Sequence, residues 1–324
     1  MDESDQPNNL TELKRPRRKQ VVLSNMAEAA AAIYGESAME RGDLGFLHTL
    51  HANCYLPRGA TKERRYVHGN GPFSIMIDAG ALLDPKTRKW VDQPLPSGGK
   101  PRALLAYINT YAVRHKTPVV PLGRSLSEFV GIMSGETSGG AKGSLRLWKT
   151  QMMALAACNI RIAGGPEGGA RTEKVDIIKS LDLWLTPKAD QFSLFPTELK
   201  LTTDYMEALQ SHAMPVDMAA LRALQHDPLA FDVFVWLVGR LPRVRQSNGV
   251  RITWEMLFDQ FGGGYSELRF FKRRFTAALK KAKAFYPSAK IELSAAGLLA
   301  KTSDPMVKRV TSVASLDRIR KSVA

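Results

Sequence analysis

The chain spells out one order of elements twice. From about Lys100 to Leu185, and again from about Asp217 to Lys301, it reads as a helix, a short strand, a helix, a Gly-rich turn, a basic amphipathic helix and a two-stranded hairpin. That order is how a winged helix reads from sequence: a helix-turn-helix offers its second helix to a DNA groove, and the hairpin beside it reaches the backbone. The duplication predicts an α+β fold, mainly helical, with two winged-helix domains in tandem.

Charge indicates what such units would meet. The 324 residues carry 46 Lys and Arg against 31 Asp and Glu, a formal net charge of +15. An excess of this size suits a polyanion, because each neutralised phosphate releases condensed counterion. No run approaches the ~18 apolar residues that cross a bilayer, and no apolar signal segment follows Met1. The expectation is a cytoplasmic protein with no membrane partner. Its two cysteines, Cys54 and Cys158, cannot build a disulfide framework and are expected as free thiols.

Residues 1–42 read as a basic, largely disordered N-terminal arm. Asp2, Glu3 and Asp5 precede Lys14-Arg15-Pro16-Arg17-Arg18-Lys19 with almost nothing apolar to bury, and Ala27–Ala32 reads as a frayed helix. Residues 43–186 are expected to form an N-terminal winged helix with an upstream cap. The cap comprises a helix over Leu44–Asn53, a strand over Phe73–Ile77 and a β excursion near Lys89–Leu95. Residues 187–216 read as a linker, 217–303 as the C-terminal winged helix and 304–324 as a basic tail.

Within the first unit, Arg102–His115 reads as a helix and Pro118–Leu122 as extended. Ser125-Leu126-Ser127-Glu128 is a capping box that opens another helix. The candidate groove helix starts near Lys142, with Leu145, Trp148, Met152 and Leu155 in one apolar stripe. Strands over Ala157–Ile162 and Val175–Leu185, joined by the tip Gly164–Gly169, are expected as its wing. In the second unit, Pro228–Leu241 is an apolar helix and Thr253 caps a helix over Trp254–Phe261. A basic helix then runs from about Glu267 to Phe285 on a core stripe of Leu268, Phe271, Phe275, Leu279 and Ala282. Lys290–Leu293 and Leu298–Lys301 are expected to close the unit as a hairpin.

The residues expected to touch DNA follow from these faces. They are Lys142, Ser144, Arg146 and Lys149 on the first helix, with Arg171 on its hairpin. In the second unit they are Arg243 and Arg245 in a basic connection, then Arg269, Lys272, Arg273, Thr276, Lys280 and Lys283 on the helix. Arg269 and Arg273, one turn apart in its N-terminal half, could each offer a fork of donors to guanine. Lys272, Lys280 and Lys283 suit phosphates.

Enzyme signatures fail. Gly135–Ser144 reads GETSGGAKGS, but Gly143 splits the Lys from the Ser and a helix precedes the loop, so the contiguous G-K-[ST] of a phosphate-cradling loop after a strand is missing. His48, His51 and Cys54, three apart on an expected helix, lack further ligands for a metal. A nickase would need two histidines flanking one residue, whereas His48 and His51 are separated by two. The chain is expected to be non-enzymatic, with no cofactor and no metal.

Several strings resemble the plasmid-encoded RepA replication initiators: Gly123-Arg124-Ser125-Leu126-Ser127-Glu128-Phe129, then Gly139-Gly140-Ala141-Lys142-Gly143-Ser144 with Gln151-Met152. Trp254, Leu257, Gln260-Phe261-Gly262, the run Phe275–Ile291, Leu56-Pro57-Arg58 and Asn70-Gly71 with Phe73-Ser74 extend the likeness from about Phe46 to Pro305. The resemblance implies two winged helices that bind repeated duplex sites (iterons) at a plasmid origin and help open adjacent A+T-rich DNA. It also implies recruitment of the host initiator and replicative helicase, and a homodimer in equilibrium with monomer that represses its own synthesis. A winged-helix transcriptional repressor without initiator activity is the alternative.

Overall fold

A computed structural model describes residues 30, 37–70, 73–123, 125–134, 142–164, 171–188 and 191–307. The chain opens with β1 (Leu44–His48), a 3-10 turn (Thr49–Ala52), β2 (Arg65–Asn70), β3 (Phe73–Asp78), β4 (Ala81–Leu83) and β5 (Trp90–Asp92). There follow α1 (Gly99–His115), β6 (Val119–Pro121), α2 (Leu126–Ser134), α3 (Lys142–Ala157), β7 (Asn159–Gly164), β8 (Arg171–Lys174), β9 (Ile178–Lys188) and β10 (Gln191–Leu201). The second half comprises α4 (Thr203–His212), β11 (Ala213–Asp217), α5 (Met218–Leu224), α6 (Pro228–Arg240), a 3-10 turn (Leu241–Arg243), β12 (Val250–Thr253), α7 (Trp254–Phe261), α8 (Leu268–Ala284), β13 (Ile291–Ser294) and β14 (Gly297–Ala300). The fold is α+β, with helices interspersed among small antiparallel sheets ordered β2-β3-β7-β8, β6-β10-β9 and β12-β14-β13, and pairs β1-β11 and β4-β5.

Two apolar cores account for this layout. In the first, Leu104, Leu105, Ile108 and Ala112 of α1 meet Trp148, Met152 and Leu155 of α3 and the sheet residues Ile75, Ile77 and Ile160. Trp148 stands edge-on to Phe129 of α2 at 5.7 Å between ring centroids. The expected stripe of α3 thus faces inward. Ser125 Oγ accepts the Glu128 N–H at 3.2 Å, one arm of the capping box.

The second core is built around α6, which is buried from Leu229 through Gly239. Pro228 at its first turn gives up no hydrogen bond there, and Asp227 caps the helix by accepting from Ala230 N–H at 3.2 Å. Thr253 caps α7 through Met256 N–H at 3.2 Å. Phe271, Phe275, Ala278, Leu279 and Ala282 seat α8 in this core. The sheet β12-β14-β13 closes the unit, and Gly297 makes it possible: its φ is +139°, and a Cβ there would lie 2.1 Å from the Ile252 carbonyl oxygen.

Three sequence expectations need correction. The Leu44–Asn53 segment is a strand and a 3-10 turn, not a helix, because β1 pairs antiparallel with β11, from Leu44–Asp217 to His48–Ala213. Leu44 and Leu47 are both buried, so their helix-like spacing is satisfied by long-range pairing instead.

Residues 187–216 are not a linker. They form β10, α4 and most of β11, and they bury Leu199, Leu201, Tyr205, Leu209, Met214 and Val216. Pro196 sits where the β9–β10 register shifts, which is how a proline is tolerated there.

The strand that follows β7 and pairs with it is Arg171–Lys174, not the expected Val175–Leu185, and the other edge of β7 pairs with β3. The chain leaves that sheet at 175–177, where Ile177 turns into the core, and β9 pairs with β10. The expected frayed helix over Ala27–Ala32 (Ala30 excepted), the turn at 135–141, the wing tip at 165–169 and the tail beyond 307 lie outside the described residues.

The two cores are joined by a buried ionic knot. Asp232 of α6 accepts from Arg102 of α1 in bidentate fashion, Nε at 2.7 Å and Nη2 at 2.9 Å. Arg102 also donates to the carbonyls of Leu56 at 2.6 Å and Gly98 at 2.7 Å. Arg58 adds its Nε to Asp232 at 3.3 Å and its Nη1 to the Phe261 carbonyl at 2.6 Å. Gly99 packs so close beside the knot that a Cβ would lie 1.6 Å from the Gln225 carbonyl oxygen.

Candidate nucleic-acid interface

Helix α8 separates its residue types by face. Its five buried positions point at α6, and Arg269, Arg273, Lys280 and Lys283 are exposed along the opposite side. Among the described residues, Arg273, Lys280 and Lys283 form no ion pair with a carboxylate, so their charges face solvent uncompensated. Arg269 does form one, its Nε 2.7 Å from Glu267 at the helix start. The guanidinium of Arg269 lies 4.7 Å from the Phe270 ring centroid and that of Arg273 5.9 Å, so the two arginines bracket one aromatic plate.

Lys272 and Thr276 are half-buried on the flank of this face. The Lys272 ammonium sits 5.3 Å over the Trp254 ring. The Thr276 hydroxyl donates to the Lys272 carbonyl at 2.8 Å, leaving only its lone pairs for a ligand. Lys281 is turned away to Asp227, 2.5 Å from it, and holds α8 to the start of α6.

The β13-β14 hairpin packs on α7 at Trp254, the ring over which Lys272 sits. Trp254 Nε1 donates to the Ser294 carbonyl at 3.2 Å, fixing the hairpin turn to α7. Arg243 and Arg245 are brought to another place, the connection after α6. Arg243 is folded back onto the Gly239 carbonyl at 2.7 Å and Arg245 is exposed. That connection packs on the segment that follows β14, through Thr302 Oγ1 to the Val244 carbonyl at 2.5 Å.

The first unit offers less. Arg146 of α3 is exposed, and Lys149 is half-buried, its pKa lowered by desolvation and partly restored by nearby Asp84. Arg171 on β8 is exposed but sits 2.8 Å from Glu173, which offsets its charge locally. The side chains of Lys142 and Ser144 lie outside the described ones.

Sequence reasoning missed Phe270, 39 % exposed within the cationic face, and the exposed Arg274 beside it. The signal was available: Phe270 is the one aromatic of the helix that falls off the core stripe. It also missed the β4-β5 hairpin as a surface feature.

The expected metal candidates do not share a helix face. His48 caps the 3-10 turn by accepting from Leu50 N–H at 3.0 Å, and His51 Nε2 lies 3.4 Å from the Tyr205 hydroxyl. Burial pushes the Cys54 thiol up to about 12. Among the described residues, no group of three His, Cys, Asp or Glu is placed to hold a metal ion, and no helix is long and apolar enough to cross a membrane.

No curated protein matches the chain. Among solved structures, crystals of RctB domains 2 and 3 are similar at 13 % and 10 % identity with TM-scores of 0.46 and 0.41, covering 72 % of this chain and 83 % and 82 % of theirs. The model of the family described as plasmid encoded RepA protein matches residues 95–260, just over half of the chain. That span runs from the entry into α1, across both sides of the Arg102–Asp232 knot, to the end of α7. The chain belongs to the plasmid-encoded RepA protein family.

Proposed function

We propose that this protein is a plasmid replication initiator that binds repeated duplex sites at its origin and promotes opening of the adjacent DNA, without enzymatic chemistry and without a cofactor. The observation that carries the reading is the exposed face of α8. Among the described residues, Arg273, Lys280 and Lys283 stand there without an ion pair, on a helix seated in the core by Phe271, Phe275 and Leu279. The element order α6, β12, α7, α8, β13, β14 supports reading this unit as a winged helix, and the outline α1, β6, α2, α3 and β7-β8 supports reading the first unit the same way.

In this reading α8 enters the major groove, Arg269 and Arg273 reach base edges, and the lysines meet phosphates. The first unit positions the backbone. Family membership supports the remaining parts of the proposal: contact with the host initiator and helicase, and a dimer that represses while the monomer initiates.

A titration against duplex carrying the origin repeats tests it. Specific binding is expected, with a log–log salt slope of about −5 to −9 if roughly six to ten phosphates are neutralised. Equal affinity for a scrambled duplex would refute the sequence-specific reading.

A further inference from the structure

The β4-β5 hairpin lies in the other half of the molecule from α8, and its tip stands clear of the core. Lys86 through Asp92 are all exposed, and Trp90 keeps 73 % of its surface accessible. No other large hydrophobic side chain among the described residues is as bare.

The turn that presents it is stiff. Asp84 Oδ1 accepts from the N–H groups of Lys86 and Thr87, both at 2.8 Å. The Arg88 N–H donates to the Asp84 carbonyl at 2.8 Å, and Asp84 N–H to the Lys89 carbonyl at 2.9 Å. Arg88 occupies the left-handed region with φ of 56°. The Asp84 carboxylate is thus engaged by the turn, and Asp92 lies 3.3 Å from Arg64. Lys86, Arg88 and Lys89 form no ion pair among the described residues.

Trp90 and Val91 are successive strand residues and therefore point to opposite faces. They do not merge into the contiguous apolar patch that a protein partner would cover. What the tip offers is a single exposed aromatic plate with three exposed cations within four residues of it in the chain, none in an ion pair among the described residues, and Lys86 in the field of Asp84. That combination fits an unpaired nucleobase and its phosphate chain, because any base can stack on an indole face while paired bases are covered by their neighbours.

We propose that the β4-β5 hairpin is a second nucleic-acid site, at which Trp90 stacks on an unpaired base of single-stranded DNA and Lys86, Arg88 and Lys89 contact the flanking phosphates. The site is independent of the duplex face on α8.

Fluorescence anisotropy of the full-length protein tests this, using a labelled oligothymidylate of about 20 nucleotides and, separately, the repeat-bearing duplex. Trp90→Ala should weaken strand binding about 5- to 100-fold, and Trp90→Phe should retain most of it. Both should leave duplex affinity unchanged. Strand binding should quench intrinsic tryptophan emission in the wild type but not in Trp90→Phe. Replacing Lys86, Arg88 and Lys89 together by Ala should weaken strand binding and flatten its salt dependence.

Strand binding by Trp90→Ala equal to the wild type overturns the proposal. So does equal loss of strand and duplex, which would make the hairpin part of duplex recognition. A wild type that binds the duplex tightly and the strand not at all overturns it too, while the α8 reading stands.

Discussion

At the level of single residues, the two basic populations on α8 should separate by experiment. Arg273→Ala removes a two-pronged donor from the N-terminal half of the helix and should cost about 1–3 kcal/mol on the cognate repeat while narrowing its lead over scrambled DNA. Lys280→Ala should instead weaken every duplex alike and lower the salt slope by about one. Competition titrations with both duplexes distinguish these outcomes. Asp232 is a different kind of residue. Its carboxylate accepts from two guanidiniums at the junction of the cores, so Asp232→Ala strands Arg102 in a dry site and should destabilise the protein by about 3–5 kcal/mol, read as a shift in the urea midpoint.

At the level of elements, the stretch β1 to the 3-10 turn carries a titration. Burial, with nearby His212, lowers the pKa of His48 to about 4, and burial followed by the charges of His48 and Arg102 lowers that of His51 to about 3. Both imidazoles are therefore neutral in the fold and protonate near 6.5 when it is lost. Stability should be flat above pH 6.5 and should fall as pH drops from 6.5 towards 4, because only the unfolded chain takes up protons in that window. Denaturation midpoints across pH 4–8 check this, and His48→Gln should flatten the curve.

The same stretch shows what one sequence can reveal. Helices α1, α3, α6, α7 and α8 were legible because each repeats apolar residues at helical spacing, and α6 and α7 also begin at a side-chain cap. The basic face of α8 was legible for the same reason, since whatever is left off the stripe must face outward. β1 and the span from β10 to β11 were not. The identity of β1 and β11 depends on partners roughly 170 residues apart, which no local pattern encodes, while β10 is set by its pairing with β9 and β6. The unmatched pair of Arg102 and Asp232 was equally silent, because a buried carboxylate looks in sequence like a solvated one.

At the level of the whole molecule, the knot and the β1-β11 pair make the two cores one body. Thermal unfolding followed by calorimetry should give one transition, and Asp232→Ala should broaden or split it. Arg102 and Arg58 converge on a single acid and share its Oδ2, which ties the halves together at a fixed point like the joint of a caliper. If both halves rest on one duplex, lengthening the spacer between their footprints by about five base pairs would carry one footprint to the far side of the helix and abolish joint occupancy. An insertion of about ten would bring it back to the same side.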